Sequence, residues 1–127
     1  MYKRQVANNQ AVGGRGAAGL GGGVANVLGG VAHISCSTLA HNRARGGDGG
    51  DGLGGGIYNG PASTHPLNTG AETALDILDS HLTYNSALGG DAGVGGGVYN
   101  LGLFDLDALT LIFGNRAATS DDDVFSI

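Results

Sequence analysis

The sequence predicts an all-β fold, a parallel coil of about three to four turns, and three observations predict it. A phrase recurs three times, GLGGGVAN at 19–26, GLGGGIYN at 52–59 and GVGGGVYN at 93–100, each downstream of a second phrase, NQAVGGRG from Asn9, NRARGGDG from Asn42 and NSALGGDA from Asn85. Two independent rulers then agree. The opening asparagines Asn9, Asn42, Asn85 and Asn115 are spaced 33, 43 and 30, and the glycine triplets at 21–23, 54–56 and 95–97 are spaced 33 and 41. Finally, the apolar segments between them alternate apolar and polar residues, as in Leu75-Asp76-Ile77 and Phe104-Asp105-Leu106, which is the period of a half-buried strand.

Composition supports the same class. Glycine supplies 27 of 127 residues, against about 7% in ordinary proteins, without the strict G-X-Y period of collagen. A hydrophobic content of 41% is too high for a disordered chain, so the glycines serve a folded, turn-dense structure.

Taken in order, residues 1–8 form an N-terminal cap or extension in which Tyr2 and Val6 are the large apolar residues. Repeat units follow at 9–41, 42–84 and 85–114, and residues 115–127 make a partial last coil and C-terminal cap. The longest unit owes its length to an insertion, Gly60–Gly70, which holds both prolines and reads as a surface loop. Each unit offers about three short strands: the glycine triplet with its Val/Ile-x-Asn, an L-x-I segment, and an x-L-x-x-N segment. Ile34 and Leu39 match Ile77 and Leu82 position for position. In the third unit a one-residue insertion places Leu106 opposite Ile77, and Leu111 or Ile112 opposite Leu82. Asparagine suits the corners of such a coil, because it tolerates left-handed angles and its amide can bond the neighbours above and below. Asn26, Asn59 and Asn100, and Asn42, Asn85 and Asn115, are therefore the expected ladder residues.

These residues resemble a known group. The unit GGGIYN, an L-x-I strand and x-S-x-L-x-x-N-x-A before another glycine-rich turn is similar to the right-handed parallel β-helix repeats of bacterial surface proteins, including polymorphic outer-membrane-type and autotransporter-like passenger regions. The closest copies are Gly54–Asn59 with Leu75–Ala87, and Gly95–Asn100 with Leu106–Ala117. The resemblance implies a pectin-lyase-like β-helix, an extracellular or cell-surface location, and roles in adhesion, display or scaffolding. Polysaccharide-cleaving members occur elsewhere in that fold, so fold alone does not assign the role.

Several residue groups invite chemistry. Gly46–Gly54 satisfies the G-G-x-G-x-D-x-U-x pattern of calcium-binding nonapeptides, which makes Asp48 and Asp51, with Asp91 at the place equivalent to Asp48, calcium candidates. Calcium wants six to eight oxygens, and the neighbouring copies lack the second Asp (Ala18 stands in one), so solvated turn aspartates are the plainer reading. Asp76, Asp79, Asp105 and Asp107 lie on or near strands and form an expected acidic row, the sequence basis for a polysaccharide-binding or polysaccharide-cleaving alternative. His33, His41, His65 and His81 show no zinc spacing and read as surface or turn residues. Cys36 is the sole cysteine and, between Ile34 and Leu39, reads as a small buried hydrophobe. The run Ser120–Asp123 reads as a charged stop on an exposed sheet edge, with Phe125 and Ile127 folding back as a plug over the core.

Charge and hydropathy exclude some partners. The net charge is −5, and Lys3, Arg4, Arg15, Arg43, Arg45 and Arg116 are scattered along the chain without a basic stripe, so nucleic acid is not expected. No signal-peptide-like run opens the sequence and no stretch approaches ~18 apolar residues, so membrane insertion by this segment is not expected either. The expectation is a non-enzymatic structural or adhesive module, self-associating through its coil ends or meeting a surface glycan or protein. It needs no cofactor, with calcium stabilisation as a further alternative.

Overall fold

The computed structural model of the chain describes residues 3–61 and 70–127. Among them lie eighteen short strands and no helix. A first pass of the chain makes β1 (Arg4–Ala7), β2 (Gln10–Val12), β3 (Gly19–Leu20), β4 (Val24–Asn26) and β5 (Val31–Ser35). The second makes β6 (Ser37–Ala40), β7 (Arg43–Arg45), β8 (Gly52–Leu53), β9 (Ile57–Asn59) and β10 (Ala74–Leu78). In the third come β11 (His81–Thr83), β12 (Ser86–Leu88), β13 (Gly93–Val94), β14 (Val98–Asn100) and β15 (Leu103–Leu106), and a fourth supplies β16 (Leu111–Phe113), β17 (Arg116–Ala117) and β18 (Val124–Ser126).

Pairing joins each strand to its counterpart one pass away. The five sheets run β1-β6-β11-β16, β2-β7-β12-β17, β3-β8-β13, β4-β9-β14-β18 and β5-β10-β15, and all pairs are parallel. Because successive passes visit the sheets in one order, equivalent residues stand side by side. Ile34 pairs with Ile77 and Ile77 with Leu106, while Asn26, Asn59 and Asn100 follow one another in a single column. The arrangement is all-β, built from parallel sheets, and compatible with a parallel β-solenoid.

One detail differs from the sequence reading, and two choices it left open are decided. A full pass carries five strands instead of about three. The N-x-A segment after each corner asparagine pairs on its own account, and so does the dipeptide before each glycine triplet, which is too short to display an alternating pattern. Ile112, not Leu111, sits opposite Leu82, because the extra residue of the third unit is absorbed in the turn at 107–110. Residues before Asn9 contribute a strand: β1 pairs along its length with β6, placing Val6 beside Leu39. Tyr2 and most of the Gly60–Gly70 insertion, His65 included, lie outside the described residues.

The interior is a narrow apolar column. Leu39, Ile57, Leu75, Ile77, Leu82 and Val98, all from the second and third passes, are fully buried, and each contributes about 1.5–3 kcal/mol of transfer free energy. Val6, Val24, Ile34, Phe104, Ile112 and Val124 from neighbouring or terminal positions are only partly covered. Both ends therefore leave core-facing apolar side chains partly open to solvent, Val24 and Ile34 at one and Ile112 and Val124 at the other.

The glycine triplet exists because passes are stacked closely there. Gly21, Gly54 and Gly95 adopt φ of +61°, +68° and +66° to turn the corner. Beside them, a Cβ on Gly22, Gly55 or Gly96 would collide with the carbonyl of Gly55, Gly96 or Asp122, in each case one pass further on. In the fourth pass Val124, Phe125 and Ser126 pair with Val98, Tyr99 and Asn100, so Asp121-Asp122-Asp123 stands where a glycine triplet would be. Asp121 keeps the left-handed angle, φ +59°. No described pass lies over it, and side chains become admissible at those positions.

That register also corrects the expected plug. Val124 points into the core, whereas Phe125 lies on the outer face, stacked on Tyr99 at 4.6 Å and continuing a stack in which Tyr99 meets Tyr58 at 5.6 Å. Alternation along a strand places one neighbour inside and the next outside, and Ile127 remains 80% exposed.

Candidate functional site

The most constrained polar groups are two columns of asparagine. In the first, the backbone N–H and side-chain Nδ2 of Asn9 both donate to Asn42 Oδ1 at 3.1 Å, Asn42 does the same to Asn85 at 3.0 Å, and Asn85 to Asn115 at 2.9 Å. The remaining amide protons turn to the chain: Asn42 Nδ2 donates to Val6 O, Asn85 to Leu39 O and Asn115 to Leu82 O. Asp123 closes this column, its Oδ1 accepting from Asn115 N at 3.2 Å and Nδ2 at 2.9 Å. Asp122 Oδ1 accepts from Ala117 N at 2.8 Å. Two members of the charged run thus satisfy donors that a following pass would otherwise take.

The second column runs Asn26, Asn59, Asn100 and Ser126. Asn26 Nδ2 donates to Asn59 Oδ1 at 2.8 Å, Asn59 Nδ2 to Asn100 Oδ1 at 2.7 Å, and Asn100 Nδ2 to Ser126 Oγ at 2.9 Å. Buried amides linked this way leave few polar groups unpaired in a thin core, where each orphan costs about 1–3 kcal/mol.

Acidic residues gather on a different surface. Strand pairing sets His33, Asp76 and Asp105 in one row across β5, β10 and β15, with His33 Nδ1 2.9 Å from Asp76 Oδ2. His33 is 68% exposed and Asp76 41%, so the pair sits on an open sheet face. Beyond it, at the corner, Cys36 Sγ lies 3.7 Å from Asp79 Oδ2, and the Asp107 carboxylate accepts from Asp79 N at 3.1 and 3.2 Å and from Thr110 Oγ1 at 2.6 Å. The Thr110 hydroxyl, helped by the Asp79 N–H, holds the Asp107 carboxyl below its ordinary value despite partial desolvation. Cys36 is not the buried hydrophobe expected from its neighbours. It is a partly exposed corner residue with φ +48°, since the chain turns between β5 and β6, while Ile34 and Leu39 on either side face inward.

The calcium candidates are exposed or half-exposed turn residues. Asp48 and Asp91 occupy successive turns after β7 and β12, and Asp51 precedes β8. Among the described residues no group of three or more His, Cys, Asp or Glu side chains converges as a metal-holding set, so Asp48, Asp51 and Asp91 do not come together as one. His41 stacks on Tyr84 at 5.5 Å, and Tyr84 meets Phe113 edge-on at 6.2 Å. Tyr58, 7% exposed, has its hydroxyl pKa raised above 10.0 by burial and secondarily by Tyr99.

Sequence reasoning missed one assembly altogether. The basic residues, far apart in the chain, meet across β2-β7-β12-β17. Gln10, Arg43, Ser86 and Arg116 form one outward column there, and Val12, Arg45 and Leu88 another, while Ala44 and Ala87 face inward, fully buried. Arg15 reaches the same side from the turn after β2, where it and Arg45 line a cleft of about 320 Å³. Only the alignment of Asn42 with Asn115 could have shown it, by placing Arg43 level with Arg116.

A scan against protein-family models finds no match, and searches of curated proteins and of solved structures find none either.

Proposed function

We propose that this chain is a right-handed parallel β-helix of the pectin-lyase-like kind, serving as a non-enzymatic structural or adhesive module of a secreted or cell-surface protein. The observation that carries the reading is the pair of asparagine columns. Polar side chains of every pass are committed to holding the next pass in register, which is what a rigid spacer or display surface requires. The outer faces, where strands alternate, are then free to carry contact residues without disturbing the frame.

A second reading has one observation in its favour. The His33–Asp76 pair with Asp105 beside it puts a base and carboxylates in a row, as a polysaccharide-binding or polysaccharide-cleaving surface would use. Its openness argues for binding over turnover, since cleavage gains from a site that excludes water.

The test uses the purified protein twice. Beads coated with it are expected to adhere to glycan- or protein-coated surfaces above an albumin control, and incubation with a panel of neutral and acidic polysaccharides is expected to release no new ends. Turnover that disappears in Asp76→Asn or Asp105→Asn would overturn the non-enzymatic reading.

A further inference from the structure

We propose that the cleft between Arg15 and Arg45 is a binding site for a tetrahedral oxyanion, a sulfate or phosphate ester. The inference does not depend on the structural or adhesive role. Five of the six cationic residues precede position 46, and all eleven carboxylates lie at Asp48 or beyond. Stacking the passes then brings Arg15, Arg43, Arg45 and Arg116 to one side of a protein whose net charge is −5.

These guanidiniums are not neutralised by their surroundings. Among the described residues, which include every Asp and Glu, the only ion pair is His33–Asp76, on a different sheet. Arg43, half-buried two residues before Arg45 on the same strand face, has its Nε shielded from solvent with no hydrogen-bond partner among the described residues. Arg43 does not line the cleft, but its charge adds to the positive field of this face.

The cleft itself has the form of an anion site. Its walls are Arg15, Arg45, Val12 and glycines from three successive passes, and Gly13 N donating to Arg45 O at 2.8 Å ties the first wall to the second. The N–H groups of Gly14 and Arg15 have no backbone acceptor among the described residues. Two guanidinium forks from successive passes, with the Gly14 and Arg15 N–H groups beside the first, suit an ion whose oxygens point in several directions. At about 320 Å³ the space fits one ester group with part of its carrier. Asp48 also lines the cleft and opposes binding, which gives the test a built-in sign.

The experiment is calorimetric titration of the whole protein with inorganic sulfate, inorganic phosphate, glucose 6-sulfate and glucose 6-phosphate, at fixed ionic strength against chloride. Saturable binding of at least one of them is expected, the ester arms showing which acid the site prefers. Arg15→Gln and Arg45→Gln, both at exposed positions, should each weaken it about tenfold, whereas Arg4→Gln, on β1 away from the cleft, should not. Asp48→Asn should tighten it. No saturable heat beyond chloride with any probe, binding unchanged in both Arg15→Gln and Arg45→Gln, or failure of Asp48→Asn to strengthen it would each overturn the proposal. Far-ultraviolet circular dichroism of each variant checks that the strands persist.

Discussion

Single side chains decide whether one pass accepts the next. Asn85 is fully buried and serves both directions of its column: its Oδ1 takes two protons from Asn42, and its amide donates to Leu39 O and to Asn115. Asn85→Ala leaves two buried Asn42 N–H groups and the Leu39 carbonyl without these partners, so a loss of about 3 kcal/mol is expected, read as a fall in the urea midpoint at unchanged slope. Asp123→Ala should cost less, about 1 kcal/mol, because the Asn115 donors it caps are nearer to solvent. Asp107 supplies a pH signature. Its folded pKa lies below the ordinary value, so the carboxylate form is favoured in the fold. The stability it contributes is present above the unfolded pKa and is lost as pH falls through the folded one. Asp107→Asn should therefore flatten the acid limb of a stability–pH curve, and an unchanged limb would show that the Thr110 and Asp79 contacts do not form.

At the level of strands and corners, the contrast between glycine and aspartate triplets is the sharpest test of stacking. Gly55→Ala and Gly96→Ala each drive a Cβ into the carbonyl of the following pass, and loss of the cooperative thermal transition is expected. Asp122→Ala carries the same Cβ where no described pass follows, and it should cost only the contact to Ala117 N, about 1 kcal/mol. The aromatic stack on β9, β14 and β18 gives an alkaline counterpart. With the Tyr58 pKa raised by burial, its stabilising effect is complete below the unfolded pKa and is lost as pH climbs through the folded value, so Tyr58→Phe should delay unfolding above pH 10. Much of this level was readable in advance. Asparagines recurring at fixed offsets and Ile34 matched to Ile77 revealed which residues would be neighbours, because a column repeats its chemistry along the chain. The two-residue strands Gly19–Leu20, Gly52–Leu53 and Gly93–Val94 were not, since a dipeptide has no period. Asp121–Asp123 reads as a charge run until Val124-Phe125-Ser126 is set against Val98-Tyr99-Asn100, whereupon its kinship with a glycine triplet appears. The arginine cleft was hidden for a further reason: its members occupy different repeat positions, and only turns and columns together make them adjacent.

Across the entire molecule the charge is polarised along the stacking direction, with cations gathered in the first pass and the start of the second and nearly all remaining charge acidic. Partly covered apolar residues at both ends add a second driving force for contact between copies. Concentration-dependent sedimentation that weakens as salt rises is therefore expected, because unlike ends attract through a screened field. A monomer at every concentration in low salt would remove end-to-end association. The parallel pairing has a mechanical consequence too. Each pass is held to its neighbours by bonds between residues 25 to 48 apart in the chain. Pulled from its termini, such a chain would peel from an end like tape from a roll, each released layer of 30 to 43 residues paying out a slack of about 100–150 Å before the next begins to bear tension.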